Sequence, residues 1–311
     1  MKRRNHIVLT GATGFIGQRI VRSLLSDGRR VVALVRPGSP RRATLDPAVG
    51  IVETELRVTD ARLTAAFTGA EAVIHVAGAV RGAGPADFRP ANIEAVRAVA
   101  ETIAALDTPP PMLLLSSLAA REPQLSDYAV SKHGGETALT QVGGSLEWTI
   151  FRPPAVYGPG DLEMRPLFRL VRHGWAPALG PVGQRIALLH ADDLADAMLA
   201  WLDAPEIPTA QTFELHDGAA RGGYTLDEIT ARLRPGRRVR QLRPPLTLLR
   251  LAARASRSMG RLSGHAPMLT PGKLRELRHP DWTCDNAAIH QALAWSPTRP
   301  LDPQTVARAY F

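Results

Sequence analysis

The stretch SDYAVSK, Ser126 to Lys132, sets Tyr128 one helical turn before Lys132. A phenol is a weak acid near pH 10, and an ammonium one turn away is a fixed positive charge that favours the phenolate. Such a pair can pass a proton to or from a substrate oxygen at neutral pH. Neighbours at i,i+4 also share solvated helix faces without any chemistry. With four tyrosines and three lysines among 311 residues, the pairing is improbable by chance. The apolar run PMLLLSS (111–117) ends in Ser116 and Ser117 shortly before the pair. A serine hydroxyl at a strand end can hold the oxygen of a substrate while the proton moves. Ser117 is preferred for that role and Ser116 is its competitor; alignment on the strand could even put Leu118 at the position. Ser126 and Asp127 have a simpler use as helix N-caps.

A second chemistry sits at the start of the chain. TGATGFIG (10–17) follows one apolar run and opens a helical one, with glycines at 11, 14 and 17. One glycine permits a tight turn, one lets backbone approach a pyrophosphate, and one lets the helix pack on the strand. The spacing is G-x-x-G-x-x-G, and strand before with helix after makes it a dinucleotide site. An acidic residue ending the second strand would hold the ribose hydroxyls of NAD. Arg36 stands there, with Arg41 and Arg42 close by. An arginine suits a 2′-phosphate, so NADP is favoured; Arg36 stacked on the adenine would also allow NAD.

These residues need a scaffold, and the first half of the chain supplies a regular one. HIVLT (6–10), VVALV (31–35), IVETEL (51–56), AVIHVAG (72–78), PMLLLSS (111–117) and LEWTIFRP (146–153) read as strands. Helical periods lie between them: Phe15 to Asp27 with Gly28 as its stop, Arg62–Phe67 capped by Asp60, Asn92–Leu106, and the helix holding Tyr128. Strand and helix alternating at this spacing give an α/β fold, a doubly wound parallel Rossmann sheet. From Pro153 the texture changes. Arg165–Trp175 reads as helix, and 185–202 as strand, cap and helix returning to the core. The expected division is a dinucleotide domain of 1–153 plus about 185–202, and a smaller C-terminal lobe of about 154–184 plus 203–311.

Bulk properties narrow the function classes. At 45% hydrophobic and 22% charged the composition is that of a soluble globular protein, with no apolar stretch approaching a membrane span. The start, MKRRNHIVLTGATG, is basic, but its apolar run is too short for a signal peptide. Cys284 is the only cysteine, which leaves no disulfide or cysteine metal cluster and makes a reducing cytoplasm the default. The net charge of +9 comes from arginines that read as scattered, so no nucleic-acid partner is expected. If a functional basic patch exists, 231–263 is its place.

TGATGFIG, HVAG (75–78), Asn92, Ser116-Ser117, Tyr128-x-x-x-Lys132 and RPPAVYGPGD (152–161) occur in that order. In this the sequence resembles the extended short-chain dehydrogenase/reductase family and, more broadly, the NAD(P)-dependent epimerase/dehydratase group, over about residues 5–200. The resemblance implies that Gly11, Thr13, Gly14, Phe15, Ile16 and Gly17 line the pyrophosphate. It places Glu55 and Leu56 beside the adenine, Ala77 and Gly78 along the cofactor, and Pro153 and Val156 by the nicotinamide. Tyr128, Lys132 and Ser117 match the catalytic trio, with Lys132 also reaching the nicotinamide ribose. A family-style homodimer through helices near 92–106 and 128–142 is a further implication. Two departures stand out. Members acting on nucleotide sugars usually carry S-S/T-x-x-V-Y-G after the fifth strand, where this chain has SSLAAREPQ, and the link from Ser117 to Tyr128 is unusually short.

Other residues have plainer readings. His190, Asp192 and Asp193 read as a helix cap rather than a metal site, and no metal is expected. His75 reads as a packed or cofactor-adjacent histidine, Cys284 as inert, and Tyr157 as shaping the loop between the lobes. The segment 244–262 is apolar at 246, 248, 249, 251 and 252 with arginines at 250, 254 and 257. It is either a helix packed on the lobe or a flap over a greasy substrate that touches anionic lipid. With the missing Val-Tyr-Gly, this favours a ketone/alcohol oxidoreductase acting on a hydrophobic small molecule, such as a keto-lipid of the sphingoid type or a steroid. The alternatives are a nucleotide-sugar epimerase or dehydratase, and a non-catalytic NADP-sensing or assembly protein.

Overall fold

The computed structural model describes residues 6–58, 60–263, 266–267 and 269–311, the side chain of Arg261 excepted. The basic start of the chain, in residues 1–5, lies outside the described residues. Seven strands form one parallel sheet: β1 (Ile7–Thr10), β2 (Val31–Val35), β3 (Gly50–Glu53), β4 (Ala72–His75), β5 (Met112–Leu115), β6 (Trp148–Arg152) and β7 (Gln211–Glu214). Their order across the sheet is β7-β6-β5-β4-β1-β2-β3. β1, β4 and β5 are buried along their whole length, which is why they read as unbroken apolar runs.

The chain order reverses between β1 and β4, and ligands of such sheets bind in the crevice outside the strand ends at that point. The register brings Thr10 beside His75 and Leu115 beside Phe151, so the strand ends form a common rim. Helices cover both faces: α1 (Phe15–Ser26), α2 (Ala61–Phe67), α3 (Ala95–Ala104), α4 (Asp127–Thr140) and α5 (Ala191–Leu202). α1 buries Gly17, Ile20, Val21 and Leu24, one helical stripe, against the sheet. Asp60 caps α2 by accepting from Arg62 N, and Gly28 adopts φ +75° after α1, as the sequence implied.

Parts of the segment expected in the C-terminal lobe join the main sheet and its core. Residues 211–214 belong to the main sheet as its edge strand, and Ile289, Leu293 and Trp295 pack into the core beside α1 and α5. β7 escapes the sequence pattern because its outer half is exposed, so it lacks an apolar run. Trp175 is not helical: Gly174, at φ +88°, ends the helix Arg165–Arg172, and Trp175 pairs with Arg240 in a short strand. The remaining lobe is built from three two-stranded parallel pairs around Tyr157, Phe168, Leu188, Tyr224, Leu301 and Tyr310. Two further helices, α6 (Leu246–Ser263) and α7 (Pro271–Arg278), pack on each other, and α7 also packs on the turn Pro123–Leu125 that precedes α4.

Candidate active site

The glycine turn is fixed by contacts too close for any side chain. Gly11 has φ +71°, and a Cβ there would lie 2.6 Å from Ala77 N. A Cβ at Gly17 would lie 2.1 Å from the Gly11 carbonyl. These approaches seat the β1–α1 turn against the exit of β4. Thr10 tightens the joint, its Oγ1 accepting from Val76 N and Ala77 N, both at 3.1 Å. The Thr10 hydroxyl proton is then left for His75 Nδ1, at 3.1 Å. Gly14 is the N-cap of α1 and supplies no side chain to the first-turn N–H groups. A helix N-terminus left this way, beside the half-buried Thr13, Phe15 and Ile16, fits the pyrophosphate of a dinucleotide.

The adjoining positions fit the rest of such a molecule. Arg36 is exposed directly after β2, and Arg41 is exposed on the following turn, while Arg42 pairs with Glu53 at 2.7 Å. Glu55 is exposed and pairs with Arg57, and Leu56, at φ +57°, packs on the core. Ala77 and Gly78 follow β4, and Pro153 and Val156 follow β6, on the same rim.

A chain of side-chain hydrogen bonds ties the segment after β4 to α4. Ala79 N donates to Asn92 Oδ1 at 2.7 Å, and Asn92 Nδ2 donates to Ala79 O at 2.9 Å and to Ser131 Oγ at 2.8 Å. Ser131 Oγ donates in turn to the Tyr128 carbonyl at 2.7 Å. Asn92 lies in a π-helical turn, Pro90–Glu94, whose widened backbone lets Asn92 O approach within 2.2 Å of where a Gly135 Cβ would be.

Lys132 is buried, and its Nζ donates to the Leu115 carbonyl at 2.7 Å. A Cβ on Gly78 would be 3.8 Å from that ammonium, so Lys132 opens onto the cofactor edge. Burial pulls its pKa down to about 8, partly offset by Glu136. Burial pushes the Tyr128 pKa up, and a hydrogen bond from Ser117 and the charge of Lys273 oppose that rise. Ser116 is turned elsewhere, donating to Glu136, which Arg152 grips through Nε at 2.9 Å and through Nη2. Ser117, not Ser116, therefore meets Tyr128.

A cation that the sequence reading did not name also acts on the Tyr128 phenol: Lys273, from α7, whose charge opposes the rise. Its Nζ lies 5.9 Å from the Tyr128 ring centroid and 2.8 Å from Glu276 Oε2. Glu276 is buried and accepts from Ser126 Oγ, while Ser126 caps α4 by accepting from Ala129 N at 2.9 Å. Lys273 and Glu276 were missed because nothing local marks them. The available signal was rarity: Lys273 is one of only three lysines in an arginine-rich chain.

The remaining candidates are structural. His75 is fully buried, and its pKa falls to about 3 through burial and then the nearby Lys132 charge, so it stays neutral. Asp192 is held by Arg19 at 2.6 and 2.7 Å, and Asp193 by Arg299 at 2.6 Å, while His190 caps α5. Tyr157 is buried against Phe168 and His190. Burial raises the Cys284 thiol to about 12.

The sequence profile of the NAD dependent epimerase/dehydratase family matches residues 7–215. The chain belongs to that family. Like other epimerase/dehydratase members it is an NAD(P)-binding enzyme, an extended short-chain dehydrogenase/reductase with a Rossmann fold. It is 36% identical over 294 residues to the ceramide reductase of Caulobacter vibrioides, covering 93% of this chain and 89% of that protein. It is 30% identical over 182 residues to D-erythronate dehydrogenase of Cupriavidus necator, covering 49% of this chain and 55% of that one. Among solved structures of the epimerase/dehydratase fold, a UDP-glucuronic acid 4-epimerase from Bacillus cereus, in complex with UDP-glucuronic acid and NAD, aligns with TM-score 0.70. It covers 98% of both chains, at 17% identity, which is a likeness of fold alone.

Proposed function

We propose that the protein interconverts a ketone and a secondary alcohol on a long-chain keto-lipid of the ceramide type, with NADP as cofactor. The observation that carries this reading is the likeness to a ceramide reductase along nearly the whole chain, lobe included. When bound, the nicotinamide nucleotide supplies or accepts the hydride. Gly11, Thr13, Gly14, Phe15, Ile16 and Gly17 would hold its pyrophosphate, with Glu55 and Leu56 at the adenine and Ala77, Gly78, Pro153 and Val156 along the nicotinamide half. Lys132 would hold the ribose hydroxyls. Arg36, exposed and free of a carboxylate among the described residues, would meet a 2′-phosphate.

Ser117 holds the carbonyl oxygen of the substrate, and the Tyr128 phenol gives that oxygen its proton as the alcohol forms. A raised Tyr128 pKa suits this direction, because the acid stays protonated at neutral pH. The short SSLAAREPQ link, without Val-Tyr-Gly, suits a non-sugar substrate. The single buried thiol of Cys284 fits a reducing cytoplasm.

The test is turnover by purified protein of a keto-ceramide and of UDP-sugars, each with NADPH and NADH. Keto-ceramide reduction with NADPH is expected. Epimerisation of UDP-sugars with no keto-lipid turnover would replace this reading with the nucleotide-sugar one. Arg36→Glu should raise the KM for NADPH about tenfold to a hundredfold and leave that for NADH nearly unchanged. Equal or tighter NADH binding by the unmutated protein would refute the NADP assignment.

A further inference from the structure

Helix α6 carries an apolar face that none of the described residues covers. Leu248, Leu251, Met259 and Leu262 are 59, 66, 68 and 89% exposed, and Ala252 and Ala255 are exposed between them. At 3.6 residues per turn these six positions fall within an arc of about 100°. The helix is held on its other side, where Ala253 and Gly260 are buried. A stripe four turns long is larger than the scattered single leucines of an ordinary surface.

Charge says what meets the stripe. Between Glu228 and Glu276 the chain has eleven arginines and Lys273 and no aspartate or glutamate. This run exceeds the net charge of the whole protein, which is +9. Arg254 is exposed about 60° beyond the stripe on one flank and Arg250 is exposed further round the same flank; among the described residues neither is ion-paired. Arg243, Arg238 and Arg237 lie exposed just before the helix. An apolar face flanked by arginines is the pattern of a helix lying in the plane of a bilayer interface, its leucines in the acyl boundary and its cations among anionic headgroups. Nucleic acid would use the arginines and leave the leucines in water.

The stripe also adjoins the cleft. Arg257, on the same helix, donates to Ala83 O at 2.9 Å, on the loop that follows the cofactor-edge residues Ala77 and Gly78. The loops bearing the exposed Val80 and Leu162 are tied together by the Arg81–Glu163 ion pair. The next helix, α7, brings Lys273 to Tyr128.

We infer that α6 is a docking surface for an anionic lipid bilayer, seating the cleft over the membrane so that a keto-lipid enters without crossing water. The delivery role rests on the keto-lipid reading; the docking itself does not. The experiment is flotation of the full chain with vesicles of phosphatidylglycerol and phosphatidylcholine, and with vesicles of phosphatidylcholine alone. Binding to the anionic vesicles, weakened by salt, is expected. The Leu251→Glu/Met259→Glu variant should lower that binding at least about tenfold. Arg250→Ala/Arg254→Ala should lower it by roughly tenfold or more and flatten the salt dependence. Both should reduce a water-soluble short-chain ketone at the unmutated rate, which shows that they fold.

Three results overturn the inference: no anionic vesicle binding; binding that ignores both variants; or an unmutated dimer that the glutamates dissociate, which would make the stripe a subunit interface. Duplex DNA or RNA bound equally by the unmutated and Leu251→Glu/Met259→Glu proteins, with vesicles ignored, overturns it as well. Vesicle binding without any ketone turnover would leave the docking standing and sink the functional reading. Turnover without vesicle binding would do the reverse.

Discussion

The two halves of the cleft are built from different materials. On the β1–β4 side the site is backbone: Gly11 and Gly17 approach other main-chain atoms so closely that no Cβ fits. On the α6–α7 side it is long side chains, with Lys273, Glu276 and Arg257 reaching across from a lobe whose secondary structure is broken into short pieces. A backbone site tolerates almost no change and binds a part common to all substrates. A side-chain site can be retuned residue by residue, which is where specificity belongs. Helix α4, which carries Tyr128 and Lys132, lies between the two, held by Asn92 from one side and by Glu276, through Ser126, from the other.

Removing the chemistry while sparing both sides should have the largest effect. Tyr128→Phe should lower kcat for ketone reduction by about a hundredfold to ten-thousandfold, with nucleotide binding unchanged by fluorescence titration. Retained turnover would move the proton donor elsewhere and leave the convergence on Tyr128 without a catalytic meaning. Lost nucleotide binding would show instead that the two sides cannot be separated.

The same contrast explains what the sequence disclosed. The glycine turn, the paired residues Tyr128 and Lys132, and the apolar runs of β1, β2, β4, β5 and β6 are local patterns whose physics is complete within a few residues. β7 was hidden because an edge strand buries little, so QTFE has no period to read. The Lys273–Tyr128 approach joins residues far apart in the chain, and no local spacing could announce it. The arginine run from 232 to 275 was legible, and reading the basic residues as scattered missed the absence of any carboxylate among them. The i,i+4 spacing of Tyr128 and Lys132 is visible in the sequence, whereas a cation brought in by a visiting helix is not.

Glycine substitutions sharpen the comparison next. Gly17→Ala must push the Gly11 carbonyl away from a point 2.1 Å off, and should cost about 3 kcal/mol in urea denaturation and abolish nucleotide binding. Gly236→Ala, in the lobe, has φ +69° with nothing within 4 Å of the new Cβ, and should cost only about 1 kcal/mol of strain. Comparable losses at both positions would erase the distinction drawn between a rigid half and a tunable one.

Acid should weaken the rigid half through His75. Its pKa is about 3 in the fold and near 6.5 when unfolded, so between those values the unfolded chain binds a proton that the folded one refuses. Stability should therefore fall as pH drops below about 6.5, reaching a loss of about 2 kcal/mol by pH 5. His75→Asn, which keeps a group able to bond Thr10, should flatten that part of the profile. A profile identical to that of the unmutated protein would mean that His75 is protonated in the fold.

The smallest effect tests whether the lobe reaches into the chemistry at all. The groups facing Tyr128 are Ser117, Lys273 and Glu276, with the Phe88 ring edge-on at 6.0 Å and Lys132 one turn along its own helix. The charge of Lys273 lowers the Tyr128 pKa and that of Glu276 raises it. Lys273→Met removes the first and leaves the second unpaired, so both changes raise the phenol. Ketone reduction needs the protonated phenol, and its alkaline limb should therefore move up by about one pH unit, while alcohol oxidation at neutral pH slows. Lys273→Arg keeps the charge and should restore the limb. If Lys273 only braces Glu276 and the α4 cap, Lys273→Met should change stability or KM and leave the limb where it was. The limb, rather than the rate, then decides whether the tunable half of the cleft sets the proton affinity of its acid.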